Sequence, residues 1–378
     1  MADTSLDISG LCPPPFAAVR EAFAANFAAG KELGARFTAQ IAGETVVDLW
    51  GGHAGRPGTR AFDDETLTPI FSTGKAVMAL MIARLVDQGK LDYEATVANY
   101  WPEFGQNGKA GITLGQLISH QGGLSGFSPP QDPSIWFDVP ATLKALCEQA
   151  PLWTPGEGSG YHPIAGGYLL GEVFRRADGR SLGTALREDI AAPFGIEVMI
   201  GTPDVYEPRI AHLQKPSAPP DLGPIDAIKR AAFLDKGSAP AGKGSADWRR
   251  MEIPSANAHA TSLGLARLMS VVANGGVLDG RSLISPETLS QAMRERVYGQ
   301  DRVLPYRLSW GAGFLRNKGI AIYGPNPNAV GHSGWGGSCA LADPERKVSA
   351  AYVMNKQSHW LIGDPRPVSL IDAFYGCL

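Results

Sequence analysis

The chain is poor in the patterns that build disulfide and metal sites. Its four cysteines, Cys12, Cys147, Cys339 and Cys377, are scattered without a C-x-x-C pair, and reduced thiols are the default for such spacing. Seven histidines are equally dispersed, with no H-x-H or H-E-x-x-H run, so neither a metal nor another cofactor is expected. A surplus of one charge sign is also missing. Lys and Arg number 34 against 37 Asp and Glu, a formal net charge of −3, which gives no reason to expect nucleic acid or an anionic membrane as partner. No apolar run approaches a membrane span, because Lys75, Arg84 and Asp87 interrupt the most apolar one. The start, from Met1 to Asp7, carries neither a basic nor an apolar leader region, so a cytoplasmic location is expected.

What is present has the composition of a globular enzyme: 44% hydrophobic and 19% charged over 378 residues, enough chain for two lobes or one large layered domain. Phe16, Val19, Phe23 and Phe27 recur at helical steps between Pro13–Pro15 and Gly30, which predicts a first amphipathic helix. Ala35–Ile41 and Thr45–Leu49 read as strands joined through Ala42-Gly43. Helical patterns follow at Ala76–Leu85, Ile112–Leu124 (closing on glycines), Ala141–Gln149, Ala165–Ala177 and Leu263–Ala273. Between Thr202 and Pro254 the chain turns rich in Pro, Gly, Ala and Ser, with a short helical pattern at Ile225–Leu234. This stretch reads as an insertion, either a mobile flap over a site or a surface excursion. Gly337–Ala342 and Val348–Met354 read as strands around the turn Asp343-Pro344-Glu345-Arg346, before a last helix at Val368–Tyr375. Strands at both ends with helices between predict an α+β fold with one antiparallel sheet built from both termini. The expected division is a sheet domain of residues 1–85 and 291–378 and a helical domain of 86–290, with the active site between them.

Only one Ser-x-x-Lys occurs, Ser72-Thr73-Gly74-Lys75, directly before the apolar helical run. Residues three apart share a helix face, so hydroxyl and amine end up side by side. At a helix start the serine's amide is unpaired and the dipole's positive end faces any developing charge. A serine needs a base to become a nucleophile, and partial burial in a cationic neighbourhood lowers a lysine toward neutrality. The plainer reading is a helix cap followed by a surface lysine. Tyr161 sits on a loop dense in turn residues, Pro155 to Pro163, from which a phenol can reach a cleft and pass a proton; it reads equally as a packing residue. Gly331-His332-Ser333-Gly334-Trp335-Gly336-Gly337 holds four glycines in seven residues. It opens the penultimate strand and suits a backbone amide brought close to an oxyanion, or a glycine-rich bulge without a ligand.

In this order the three stretches resemble the motifs of the serine β-lactamase and penicillin-binding-protein fold, and more narrowly the class C-like family VIII carboxylesterases. Ile112–Leu124, Ser255–Ser262, Asn274–Pro286 and Trp310–Phe314 resemble that family too, so the similarity runs from about residue 15 to the end. The resemblance implies Ser72 as the acylated nucleophile, Lys75 as its activating partner and Tyr161 as general base or acid. It also implies an oxyanion hole from the amides of Ser72 and Trp335. His332-Ser333-Gly334 matches the Lys-Thr-Gly segment of β-lactamases, and Tyr161-His162-Pro163 stands where they carry Tyr-x-Asn. Both departures favour neutral esters over β-lactams, although His332 could still offer a donor or a positive charge.

The expectation is therefore a serine carboxylesterase acting on small, short-chain esters. A β-lactamase, a D-amino-acid peptidase, an acyltransferase or a non-hydrolytic sensor on the same fold are the alternatives. His332, Ser333, Gly334 and Trp335 are the expected substrate contacts. Phe127, Trp136 and Trp153 would join Trp335 in an apolar acyl pocket, or belong to the core. His120, His162 and His259 read as structural neighbours. Gly179-Arg180-Ser181-Leu182-Gly183 satisfies the G-x-S-x-G pattern, but it lies between two helical stretches and lacks the preceding strand a nucleophile elbow requires.

Overall fold

Ala42 and Gly43 take positive φ, 51° and 89°, which a two-residue turn needs to join twisted strands. They close a hairpin in a computed structural model that describes residues 7–56 and 59–378. The leader reading rests on Met1–Leu6, which, like the first six residues of the expected sheet domain, lie outside the described residues. With Ile8–Leu11 as β1, the hairpin strands Gly34–Ile41 and Glu44–Gly52 are β2 and β3. Val297–Gln300, Arg307–Trp310, Leu315–Arg316, Val330–Ser333, Cys339–Asp343 and Val348–Met354 are β4 to β9.

These form a nine-stranded sheet in the order β1-β3-β2-β9-β8-β7-β6-β5-β4, antiparallel at every pairing. The joint is β2 against β9, in register from Ala35↔Met354 to Ile41↔Val348, so the middle of the sheet is where the two ends of the chain meet. The strand expected at Gly337 starts at Cys339, because Gly336 and Gly337 turn with φ of 92° and 128°. The His332-Ser333 stretch does not open that strand. It ends β7, one strand earlier.

Side chains alternate across the sheet, as the period of two requires. On β8 and β9, Ala340, Ala342, Ala351 and Val353 face one apolar cluster while Leu341, Ala350, Tyr352 and Met354 face the other. Helices α1 (Ala17–Ala28) and α5 (Pro365–Tyr375) cover the second face, and Phe16 stacks on Phe374 at 5.5 Å. Helix α4 (Ser262–Ala273) packs on the first face against β2, β8 and β9, where the small alanines admit close approach. Beyond it lie α2 (Gly74–Asp87) and α3 (Ala165–Asp178). Helix α2 is buried on nearly every side, the position of a helix without a polar face.

The pattern at Ile112–Leu124 yields helix only at Leu114–Ile118, opened by a Thr113–Gln116 capping box, and the chain leaves it with His120 at φ 64°. Ser181 caps the short helix Leu182–Leu186 just after Gly179 ends α3, and its Oγ donates to Glu252 at 2.6 Å. No strand precedes it, so the G-x-S-x-G match is a helix-to-helix turn. Among the described residues no helix is long and apolar enough to cross a membrane.

Candidate active site

Ser72 lies in the turn Phe71–Thr73 that feeds α2. Phe71 holds φ at 46°, a left-handed conformation that costs a non-glycine residue about 1–3 kcal/mol. Three hydrogen bonds hold it there. Ile70 N donates to Ala258 O at 2.8 Å, Ser338 Oγ donates to Ile70 O at 2.8 Å, and Thr73 Oγ1 meets Ser338 Oγ at 3.0 Å. Gly74 is tight as well, since a Cβ there would stand 3.0 Å from Ala258 Cβ and from Pro254 O.

One turn along, Lys75 Nζ lies 3.1 Å from Ser72 Oγ and donates to Pro163 O at 2.9 Å and Ser255 O at 3.0 Å. Burial takes the amine well below its ordinary pKa; no cationic neighbour is needed for the shift. A neutral amine has two N–H groups and one lone pair. As an ammonium Nζ donates to Ser72 Oγ and to both carbonyls; in the neutral form the two carbonyls take the N–H groups and the lone pair is left for the serine hydroxyl.

Burial raises the pKa of the Tyr161 phenol, and the nearby Ser72 hydroxyl opposes that rise. Lys75 Nζ sits 4.6 Å from the centre of the phenol ring, which also meets Trp310, stacked at 5.9 Å, His120, edge-on at 4.9 Å, and His332, tilted at 6.1 Å. Buried Asp301 pins the loop. Its carboxylate accepts from Tyr161 N at 3.0 Å, Ser159 Oγ at 2.8 Å, and Val303 N and Leu304 N at 2.9 Å each. Gly160 is required because a Cβ would run into the Trp153 ring.

The third stretch approaches from β7. A Cβ at Gly334 would overlap Ser338 Oγ and Ile70 O, so only glycine lets this strand end touch the serine turn. His332 is buried and its Nδ1–H donates to Ser333 O at 2.8 Å. Burial, the dominant cause, pushes its pKa down to about 3, so the ring is neutral at physiological pH. That closes the option of a positive charge at His332. Trp335 follows with its ring 5.9 Å from Phe71. Its amide donates to no group among the described residues, and the Ser72 amide belongs to a first helical turn, which lacks intrahelical acceptors.

Three other buried histidines hydrogen-bond within the fold. His162 Nε2 accepts from Leu124 N at 3.2 Å, His120 Nδ1 accepts from His162 N at 3.3 Å, and His259 Nδ1 lies 2.9 Å from Asn257 O.

Ser72, Tyr161, His332, Ser333 and Trp335 line one cavity of about 380 Å³, and much of its remaining wall comes from the Thr202–Pro254 segment, including Leu222, Phe233, Lys243 and Trp248. Phe127, Trp136 and Trp153 are not in that wall. Phe127 packs on Trp136 at 4.6 Å and Trp136 on Tyr168 at 5.1 Å in the core, while Trp153 backs the tyrosine loop. The expected acyl-pocket aromatics thus reduce to Trp335. They gave way because the Thr202–Pro254 segment supplies the apolar surface instead. Four contributors went unread in the sequence: Asp301, Ser338, and the carbonyls of Pro163 and Ser255. Ser255 at least heads a stretch already singled out; nothing local marks Asp301 or Ser338.

A family model described as beta-lactamase matches residues 19–361. The "Esterase/beta-lactamase LipL" of Mycobacterium tuberculosis (strain ATCC 25618 / H37Rv) is 33% identical over 367 residues, covering 94% of this chain and 84% of that protein. A crystal structure of a penicillin-binding protein homologue from Caulobacter crescentus superposes with a TM-score of 0.97 at 58% identity, covering 98% of this chain and 100% of that one. A crystal structure of a family VIII carboxylesterase superposes with a TM-score of 0.91 at 39% identity, with the same two coverages of 98% and 100%.

Proposed function

The chain belongs to the beta-lactamase family and is a serine hydrolase with esterase relatives, and on that premise we propose that it hydrolyses small, short-chain carboxylic esters through an acyl-enzyme on Ser72. The observation that carries this reading is the clamped amine, Lys75 Nζ held by two carbonyls and turned to Ser72 Oγ at 3.1 Å. Lys75, with Tyr161 beside it, withdraws the proton as Oγ forms its bond to the ester carbonyl carbon. The carbonyl oxygen becomes an alkoxide facing the amides of Ser72 and Trp335, each donor of this kind supplying about 3 kcal/mol. Tyr161 returns a proton to the departing alcohol as the C–O bond breaks. Water then attacks the acyl-serine by the same route and releases the acid.

A neutral His332, and Pro163 in place of an amide side chain, support neutral esters over β-lactams as substrates. A weaker β-lactamase activity is the second reading, favoured by a relative whose name carries both activities. The cavity also supports the division into a sheet domain (1–85 and 291–378) and a helical domain (86–290) with the site between them, since its wall draws on both.

Parallel turnover of p-nitrophenyl butyrate, nitrocefin and a D-alanyl amide tests the substrate class. Ester turnover should dominate; fast nitrocefin hydrolysis with negligible ester turnover would reverse the choice. Intact mass after a phosphonate probe should show one adduct on the wild type and none on Ser72→Ala. An adduct that persists there and disappears in Ser181→Ala would move the chemistry to the other serine.

A further inference from the structure

Among the side chains lining the cavity, Lys243 alone carries a charge at neutral pH. It comes from the Thr202–Pro254 segment, and its Nζ lies 3.8 Å from the centre of the Trp335 ring and 5.7 Å from that of Phe71. Those two rings belong to the residue that would supply an oxyanion amide and to the neighbour of Ser72. The ammonium therefore hangs over the place where an acyl group would lie. Among the described residues no carboxylate lines this cavity.

The adjoining groove, about 1020 Å³, brings Lys215, His212, Arg249 and Glu207 to the same mouth, and its acid is already taken by Arg249 at 3.0 Å. Neither Lys215 nor Lys243 has an acidic partner among the described residues. The residue is exposed, yet its ammonium rests on aromatic faces. That desolvation, with the Lys215 charge, brings its pKa down to about 8, which leaves the cation as the main form at pH 7. A ring face holds a cation only modestly. An incoming carboxylate in a partly dry cavity offers more, and the exposure keeps the gain moderate.

We propose that Lys243 makes this site selective for esters whose acyl part carries a carboxylate, which the ammonium would hold above Trp335. The inference rests on Ser72 being the nucleophile of an ester hydrolase, so two arms separate its failure from the failure of that reading. The binding arm needs no turnover: calorimetry compares 3-carboxyphenylboronic acid with its neutral 3-carbamoyl counterpart, both of which can cap a serine hydroxyl. The wild type should bind the carboxylate about ten-fold more tightly, the equivalent of about 1.4 kcal/mol. The preference should vanish in Lys243→Met, survive in Lys243→Arg, and shrink in 1 M salt.

The kinetic arm compares p-nitrophenyl monoadipate with p-nitrophenyl 5-carbamoylpentanoate and reads the ratio of their kcat/KM values within each variant; that ratio should follow the same pattern. If Lys243 were only a clasp between the segment and Trp335, Lys243→Met would change both esters in proportion and leave the ratio fixed. Equal binding of the two boronates by the wild type, or a preference that persists in Lys243→Met, overturns the proposal. A boronate preference without turnover of either ester sustains the anion site and counts against the esterase reading.

Discussion

Lys75 does two opposing things, and pH separates them. As a base it works only unprotonated, so the pH–rate profile for ester turnover should rise through an apparent pKa well below 10.5, the ordinary lysine value. As a buried amine it weakens the fold. The unfolded chain keeps its proton up to about pH 10.4 while the native site has already lost it, so in that window U binds more protons than N and stability rises with pH. Lys75→Met has no such group. Urea unfolding of the two proteins between pH 7 and pH 10 should shift in favour of the wild type as pH increases, while the variant loses ester turnover at every pH. A difference that stays flat with pH would mean the native lysine is charged. The residue pattern suggested an amine tuned by partial burial and a cationic neighbourhood; in the folded chain, burial on α2 is the cause that acts.

At the scale of elements, the site is a junction of three chain segments pressed together at backbone distance. Gly334→Ala places a methyl against Ser338 Oγ and Ile70 O, so either β7 or the serine turn must move. The expected cost is about 1–3 kcal/mol in urea unfolding, with kcat reduced at least about a hundred-fold because a 1 Å displacement is that costly to aligned groups. Full activity in that variant would show that the turn tolerates the shift. Asp301 works from further back. Its carboxylate gathers four donors from the loop that carries Tyr161 and the segment after β4, and an amide in its place presents an NH₂ group to some of them. Asp301→Asn should lower kcat about ten-fold or more while KM changes little, as measured with p-nitrophenyl butyrate; an unchanged kcat would remove Asp301 from the positioning of Tyr161. Of these partners, Gly334 and Tyr161 were legible as motif residues. Asp301 was not, because its meaning depends on a long-range contact.

Over the whole molecule, four buried histidines make the fold sensitive to acid. Burial lowers His120 well below its ordinary value, His162 and His332 to about 3, and His259 to about 4. In the unfolded chain each takes up a proton near pH 6.5. Below that pH the unfolded state binds more protons, and stability falls as pH falls until the native values are reached. Each histidine contributes a slope approaching about 1.4 kcal/mol per pH unit. Urea midpoints should therefore drop steeply between pH 6.5 and 5, and His259→Gln should flatten the slope by about one histidine's worth. A midpoint constant across that range would show that the rings are charged in the native state.

The division between sequence and tertiary structure follows from the range of the forces involved. Helix periodicity, the Ala42-Gly43 turn, the Ser72–Lys75 spacing and the glycines of residues 331–337 act within a few residues, so the one-dimensional pattern already determined them. The pairing of β2 with β9, the burial that lowers the pKa of Lys75 and His332, the carbonyl clamp from Pro163 and Ser255, and the wall built by residues 202–254 exist only once segments far apart in the chain are in contact. Composition alone cannot report such terms, because the cost of burying a charge depends on what surrounds it and not on the residue that bears it.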